Sequence, residues 1–105
     1  MSLRRLQKEV DNWIRQNKIS YFKPEWILAR LVEENGELAR EINHLFGPKK
    51  KKKSEQPSDG LAGELGDIIY TVICLANSQK IDLDRAFKAT IKKYKTRDKG
   101  RYGRK

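Results

Sequence analysis

The sequence has little of what marks secreted or membrane proteins. It contains one cysteine, Cys74, so no disulfide can form within the chain. No apolar run approaches the ~18 residues that a transmembrane helix needs. The first residues lack the apolar segment of a secretory signal. We therefore expect a soluble, cytoplasmic protein that does not bind membranes.

Apolar residues are scarce as well. They make up 37% of the 105 residues, against 36% charged residues, and a chain of this size buries only about 60–70% of the surface that its unfolded form exposes. The length fits one domain, which we place at residues 1–99, followed by a basic, flexible tail at 100–105.

Positive charge is concentrated in two segments. The net charge of +10 comes from 24 basic and 14 acidic residues, and 13 of the basic ones lie at 49–53 and 92–105 beside a single acid, Asp98. The rest of the chain has 11 basic and 13 acidic residues, a net charge of −2. Since a basic field attracts any polyanion, both nucleotides and nucleic acid are candidate ligands.

Apolar residues recur at helical spacing along most of the chain. The fold class predicted from this pattern is all-α, a four-helix bundle. Gly47 and Pro48 end the second helix, and the lysine-rich segment 47–59 is predicted to be a mobile loop. The four predicted helices run from Leu3 to about Ile14, from about Pro24 to Phe46, from near Ser58 or Asp59 to about Ser78, and from an Asp82 N-cap through Tyr94.

Acidic residues on the second and third helices share one register. Each helix carries two carboxylates that stand three and six residues after a leucine of its apolar stripe. When the two helices pack through these stripes, the four carboxylates can converge at the seam between them. They are Glu34 and Glu37 on the second helix, and Glu64 and Asp67 on the third.

Converging carboxylates repel one another, which is costly unless a cation is bound. Like charges one helical turn apart destabilise an exposed helix by about 0.2–0.5 kcal/mol per pair, and drier surroundings increase the cost. Mg²⁺ prefers oxygen ligands and often keeps substrate phosphates in its shell. The pattern therefore predicts a Mg²⁺ site, with Mn²⁺ as an alternative ion. A solvated acidic face is the other interpretation, and it fits Glu33 and Glu41 taken singly.

A di-iron site is a further interpretation of the acids. Glu41 and His44 have the E-x-x-H spacing of di-iron carboxylate bundles. Such a site needs two of these pairs, and the chain has one histidine. Only a symmetry axis could supply the second, so we assign His44 to the last carbonyls of its helix instead.

The fourth helix carries a candidate anion-binding pair. Lys93 and Arg97 are spaced i, i+4 beside the apolar stripe, where an ammonium and a guanidinium can hold one anion. Basic residues at a helix C-terminus also interact well with the helix dipole, so charge alone does not decide between the two interpretations. The four acids favour anion binding, because a site for a polyphosphate must offset both sets of negative charge.

Together the acids form the pattern E-E-x-x-E, 26 residues, E-x-x-D, which begins at Glu33 and ends at Asp67. With its helix order, the chain resembles the all-α MazG-type nucleoside triphosphate pyrophosphohydrolases. The resemblance implies a Mg²⁺-dependent enzyme that splits a (d)NTP into the (d)NMP and pyrophosphate. It implies a role in clearing the nucleotide pool. In this family pattern the metal ligands correspond to Glu34, Glu37, Glu64 and Asp67, and the residues near the triphosphate correspond to Lys93, Arg97 and Arg30.

Two hypotheses of different class follow for the function. In the first, the chain is a nucleotide pyrophosphohydrolase in which Glu33 or one of the ligand glutamates is the general base. In the second, it is a non-catalytic helical protein that binds nucleic acid or the ribosome through its basic segments. Tyr102 is the one aromatic residue of the tail and none lies at 49–53, which gives base stacking little support.

The third helix also suggests an assembly. Ile69 and Ile73 widen its apolar stripe beyond what one neighbouring helix can cover. Most soluble oligomers are symmetric homo-oligomers, and the family resemblance implies active sites near subunit contacts. We therefore expect a homodimer or a homotetramer.

Overall fold

The computed structural model describes residues 1–48 and 60–101. These ranges contain four helices and no strand, so the predicted all-α class and the order of the helices are confirmed. The lysine-rich part of the predicted loop, the predicted start of the third helix and residues 102–105 lie outside the described ranges. None of the described helices combines the length and the apolar character that crossing a membrane requires. The helices are α1 (Leu3–Gln16), α2 (Pro24–Phe46), α3 (Gly60–Ser78) and α4 (Leu83–Arg97).

Local sequence signals start the helices. The Ser2 hydroxyl caps α1 by accepting a hydrogen bond from the Arg5 N–H at 3.0 Å, and Pro24 occupies the first turn of α2. The predicted N-cap of α4 is confirmed, because the Asp82 carboxylate accepts from the Asp84 N–H at 2.9 Å. Burial acts to raise the pKa of Asp82, but hydrogen bonds from Arg4 and from the first turn of α4 outweigh it and lower that pKa.

Helix α3 is the centre of the fold. It packs against both α2 and α1, while α4 packs against α1. The predicted need of Ile73 for a second subunit is therefore wrong, because Ile73 is buried within the single chain. Ile69 remains exposed, as predicted.

A polar network joins α1 to the end of α3 and the start of α4. The buried Gln7 side chain donates to the Asn77 side chain at 3.0 Å and to the Ile81 carbonyl at 2.8 Å. Asn77 in turn donates to the Tyr21 hydroxyl at 3.0 Å, and that hydroxyl donates to Asp11 at 2.8 Å. Burial and the hydrogen bond to Asp11 raise the pKa of Tyr21 to about 12. The network fixes the chain between α1 and α2 against α3.

Helix α4 has no buried residue. Its apolar stripe is open to solvent at Phe87, Ile91 and Tyr94. An amphipathic helix gains most of its stability from packing of that stripe. In the described chain, α4 therefore leaves an apolar surface that a further partner could cover.

Candidate active site

The structure brings the four predicted carboxylates together where α2 and α3 pack. One oxygen from each residue lies within 4.8 Å of the corresponding oxygens of the other three. No second group of three or more such ligands occurs within residues 1–48 and 60–101. We call the set of Glu34, Glu37, Glu64 and Asp67 the acid cluster.

The acid cluster has a buried half and an exposed half. Glu34 and Glu64 are only 6% and 8% exposed, whereas Glu37 and Asp67 are open to solvent. The first carboxylate of each pair is thus the buried one on both helices, as their shared register requires. The arrangement leaves the cluster accessible from one side.

Glu64 is the carboxylate of the cluster in the least favourable electrostatic environment. Its Oε2 atom is buried and has no hydrogen-bond partner within the described residues. Burial, followed by the nearby charges of Glu37, Asp67 and Glu34, raises the pKa of the Glu64 carboxyl. A buried oxygen without a partner costs free energy, and a bound cation would satisfy it. Because all four donors are carboxylate oxygens, the residues fit a hard divalent cation.

Arg30 is the basic residue that contacts the acid cluster. Its Nε atom lies 3.3 Å from Glu34 Oε1, one helical turn away on α2, and its side chain is 60% exposed. No other ion pair reaches the cluster from the described residues. Arg30 therefore offsets one of the four negative charges of the acid cluster, and its exposed side chain can adopt other rotamers.

Three other predicted site residues lie outside the acid cluster. Glu33 is exposed and is not part of the cluster. Lys93 and Arg97 lie on α4, which packs against α1, and their cationic groups sit 5.1 and 4.5 Å from the centre of the Tyr94 ring. The Arg97 Nε is also 3.1 Å from the Asp98 carboxylate. Within the described residues no ion pair joins Lys93 or Arg97 to the acid cluster, and their role in phosphate binding stays a prediction.

The sequence did not reveal an apolar pocket of about 470 Å³ between α1, α2 and α3. The signal that could have pointed to it is the group of aromatic residues around the connection between α1 and α2. A larger, more open groove of about 1040 Å³ follows α2 from Asn35 to Gly47 and contains no residue of the acid cluster. The smaller pocket, which we call the aromatic pocket, is lined mainly by Trp13, Tyr21, Phe22, Arg30, Tyr70 and Cys74.

Known proteins are similar to this chain in sequence and in fold. The family model of the MazG nucleotide pyrophosphohydrolase domain matches residues 22–102, a range that includes the whole acid cluster. YpjD of Bacillus subtilis strain 168, an uncharacterized protein, is 45% identical over 104 residues, which are 99% of this chain and 93% of YpjD.

Two crystal structures are similar to the chain. That of YPJD from Bacillus subtilis has a TM-score of 0.79 at 43% identity, and the match covers 93% of this chain and 97% of that one. The structure of a Bacillus-conserved MazG protein, a nucleotide pyrophosphohydrolase, has a TM-score of 0.76 at 43% identity, and the match covers 95% of this chain and 96% of that one.

Proposed function

Because this chain belongs to the MazG nucleotide pyrophosphohydrolase family, we propose that it hydrolyses a (d)NTP to the (d)NMP and pyrophosphate with the help of Mg²⁺. The observation that carries this proposal is the convergence of four carboxylate oxygens within 4.8 Å of one another. Such a cluster is unfavourable for folding alone, and it suits a site that binds a cation together with a polyphosphate.

The acid cluster would hold the ion through Glu34, Glu37, Glu64 and Asp67. When bound, Mg²⁺, or Mn²⁺ in its place, polarises phosphoryl oxygens and offsets the charge of the triphosphate. The orphaned Oε2 of Glu64 supports this assignment.

The chain's own residues supply the remaining steps. In the hydrolysis, a water oxygen forms a bond to the α-phosphorus. The bond between the α-phosphorus and the oxygen that bridges to the β-phosphorus breaks. A water proton passes to a carboxylate, for which Glu33 and the cluster glutamates are the candidates. Arg30 can exchange its contact with Glu34 for a substrate oxygen, because its side chain is largely exposed.

Lys93 and Arg97 would stabilise the charge that develops on the leaving pyrophosphate. For this role, Lys93 and Arg97 must lie close to an acid cluster. We propose that the protein works as a homodimer or homotetramer in which a second copy covers the exposed stripe of α4. Clearing the nucleotide pool is the cellular role that this activity suggests. Binding of nucleic acid through 49–53 and the tail remains a prediction from the sequence.

Product analysis tests the proposed function. The protein is incubated with a panel of NTPs and dNTPs and Mg²⁺, and pyrophosphate and orthophosphate are measured separately. We expect pyrophosphate and monophosphate in equal amounts, no turnover in EDTA, and loss of turnover in Glu64→Gln. Glu9→Gln, at an exposed acid on α1, is the matched control and should remain active. Release of orthophosphate alone, or full activity of Glu64→Gln, would contradict the proposal.

A further inference from the structure

Helix α4 carries a row of basic side chains beside its apolar stripe. Four basic residues, spaced by three, four and three positions, lie within about 80° of one another around the helix and span about 15 Å of its axis. All four side chains are exposed. We call this row the cationic stripe, and its members are Arg85, Lys88, Lys92 and Lys95.

The charge of the cationic stripe is not offset by the described part of the chain. The ion pairs found there involve none of its four residues. Asp84 is the one acid within α4. Its carboxylate accepts a hydrogen bond from the Leu3 N–H at 3.1 Å and lies 3.9 Å from the Nε of Arg4. The stripe therefore presents positive charge alone to the solvent.

The stability of α4 does not account for the cationic stripe. Arg85 lies in the first turn, where the helix dipole disfavours a cation. Lys88 and Lys92 are four residues apart, and like charges at this spacing destabilise a helix. Of the four residues, Lys95 alone lies in the last turn, where the dipole favours a cation. A row of cations that opposes folding suits a surface that attracts an anionic partner.

The form of the stripe favours the phosphate backbone of a double helix over other polyanions. Its cations follow one another every 4.5–6 Å or so along the helix axis, so several can contact phosphates of one strand at once. Unpaired bases would need an aromatic platform. Phe87 and Tyr94 lie outside the stripe, and the Tyr94 ring already has Lys93 and Arg97 beside it. A membrane would need the apolar stripe of α4, which we assign to a second copy of the chain.

We propose that the cationic stripe of α4 binds the phosphate backbone of double-helical nucleic acid, independently of base sequence. Arg85 can hold a phosphate through two parallel N–H groups, whereas the lysines act as point charges. Around the helix, the stripe lies on the opposite side of the apolar residues from Lys93 and Arg97. It is therefore a second anion-binding surface, and it does not depend on hydrolysis of nucleotides.

Salt-dependent binding tests the cationic stripe. Fluorescence anisotropy of a short labelled DNA duplex is measured with the full chain and with Lys88→Gln/Lys92→Gln, between 50 and 200 mM salt. Each phosphate contact adds about −0.9 to the slope of log affinity against log salt. The variant should therefore bind more weakly, with a slope shallower by about 1.8. Arg85→Gln/Lys95→Gln should give the same change, and circular dichroism checks that the helices of both variants are retained.

The matched control removes the same charge elsewhere. Lys18 and Lys80 are exposed and lie outside the helices, so Lys18→Gln/Lys80→Gln should keep the wild-type slope. A second DNA duplex of unrelated sequence should bind with the same affinity as the first. An RNA duplex in parallel shows which double helix is the ligand, since the ligand is the one whose slope depends on the stripe.

Several outcomes would overturn the proposal. They are slopes that neither stripe variant changes, an equal loss in the control, and tighter binding of a single strand than of either duplex. Stripe-dependent binding of vesicles that contain phosphatidylserine, without binding of a duplex, would assign the surface to membranes instead. Turnover of free nucleotide should be the same in the stripe variants as in the wild type, so failure of the proposed hydrolysis and failure of this inference are separate results.

Discussion

Replacing Glu64 by glutamine should stabilise the metal-free protein and remove its response to divalent cations. In the folded chain the four carboxylates and Arg30 together carry a formal charge of −3, and the substitution lowers this to −2. It also removes the ionisable group whose Oε2 has no hydrogen-bond partner in the described structure. Glutamine keeps the shape of the side chain, so the apolar packing around it is retained.

The size of the cation response follows from mass action. An ion that binds only the folded state at 100 times its Kd stabilises it by about 2.7 kcal/mol. For a domain of this size, each kcal/mol shifts Tm by roughly 4–8 °C. Saturating Mn²⁺ should therefore raise the Tm of the wild-type protein by roughly 10–20 °C.

Differential scanning calorimetry measures both effects. The samples are the wild-type protein, Glu64→Gln and the control Glu9→Gln, each in EDTA and in Mn²⁺. We expect Glu64→Gln to have the highest Tm in EDTA and the smallest shift with Mn²⁺, while Glu9→Gln follows the wild type. A Glu64→Gln protein that melts below the wild type in EDTA, or that keeps the full shift, would refute the reasoning.

Further predictions concern pH, phosphate binding, the polar network and assembly. The pKa of Glu64 is raised, so between its ordinary and its raised pKa the folded state binds more protons than the unfolded state. The Tm of the metal-free protein should therefore fall as pH rises through that window. A Tm that rises in that window through the effect of Glu64 would contradict the raised pKa. Replacing Lys93 and Arg97 by alanine should lower kcat/KM at least about tenfold and leave the Mn²⁺-induced Tm shift unchanged, because neither residue belongs to the acid cluster. Tyr21→Phe should cost about 1–2 kcal/mol in chemical denaturation, since its hydroxyl joins Asp11 to Asn77. Phe87→Glu should shift the protein toward monomers in light scattering; an unchanged oligomer would exclude α4 from the interface.

Sequence periodicity was sufficient to predict the helices and the acid cluster. Each helix follows local signals, such as the Asp82 cap and Pro24, that act within one turn. The convergence of Glu34 with Glu64 needs only helical geometry and the packing of two apolar stripes. Arg30 reaches Glu34 because the two residues are one turn apart.

Features that depend on how the helices are arranged could not be predicted in the same way. The width of the α3 stripe suggested a second subunit, but Ile73 is buried within the single chain, where α3 packs against both α1 and α2. The aromatic pocket combines residues from three segments that are far apart in sequence, so no single periodicity contains it. The position of Lys93 on a helix that packs against α1 is likewise set by tertiary contacts.

The most direct test of the central claim is an anomalous diffraction measurement on crystals grown with Mn²⁺ and a nucleoside monophosphate. The acid cluster is the proposed cation site, so we predict a strong Mn²⁺ peak between the carboxylates of α2 and α3, bound by oxygens of Glu34, Glu37, Glu64 and Asp67, with the phosphate beside it. A peak at other residues, or a nucleotide bound with its phosphate away from these four carboxylates, would contradict the account.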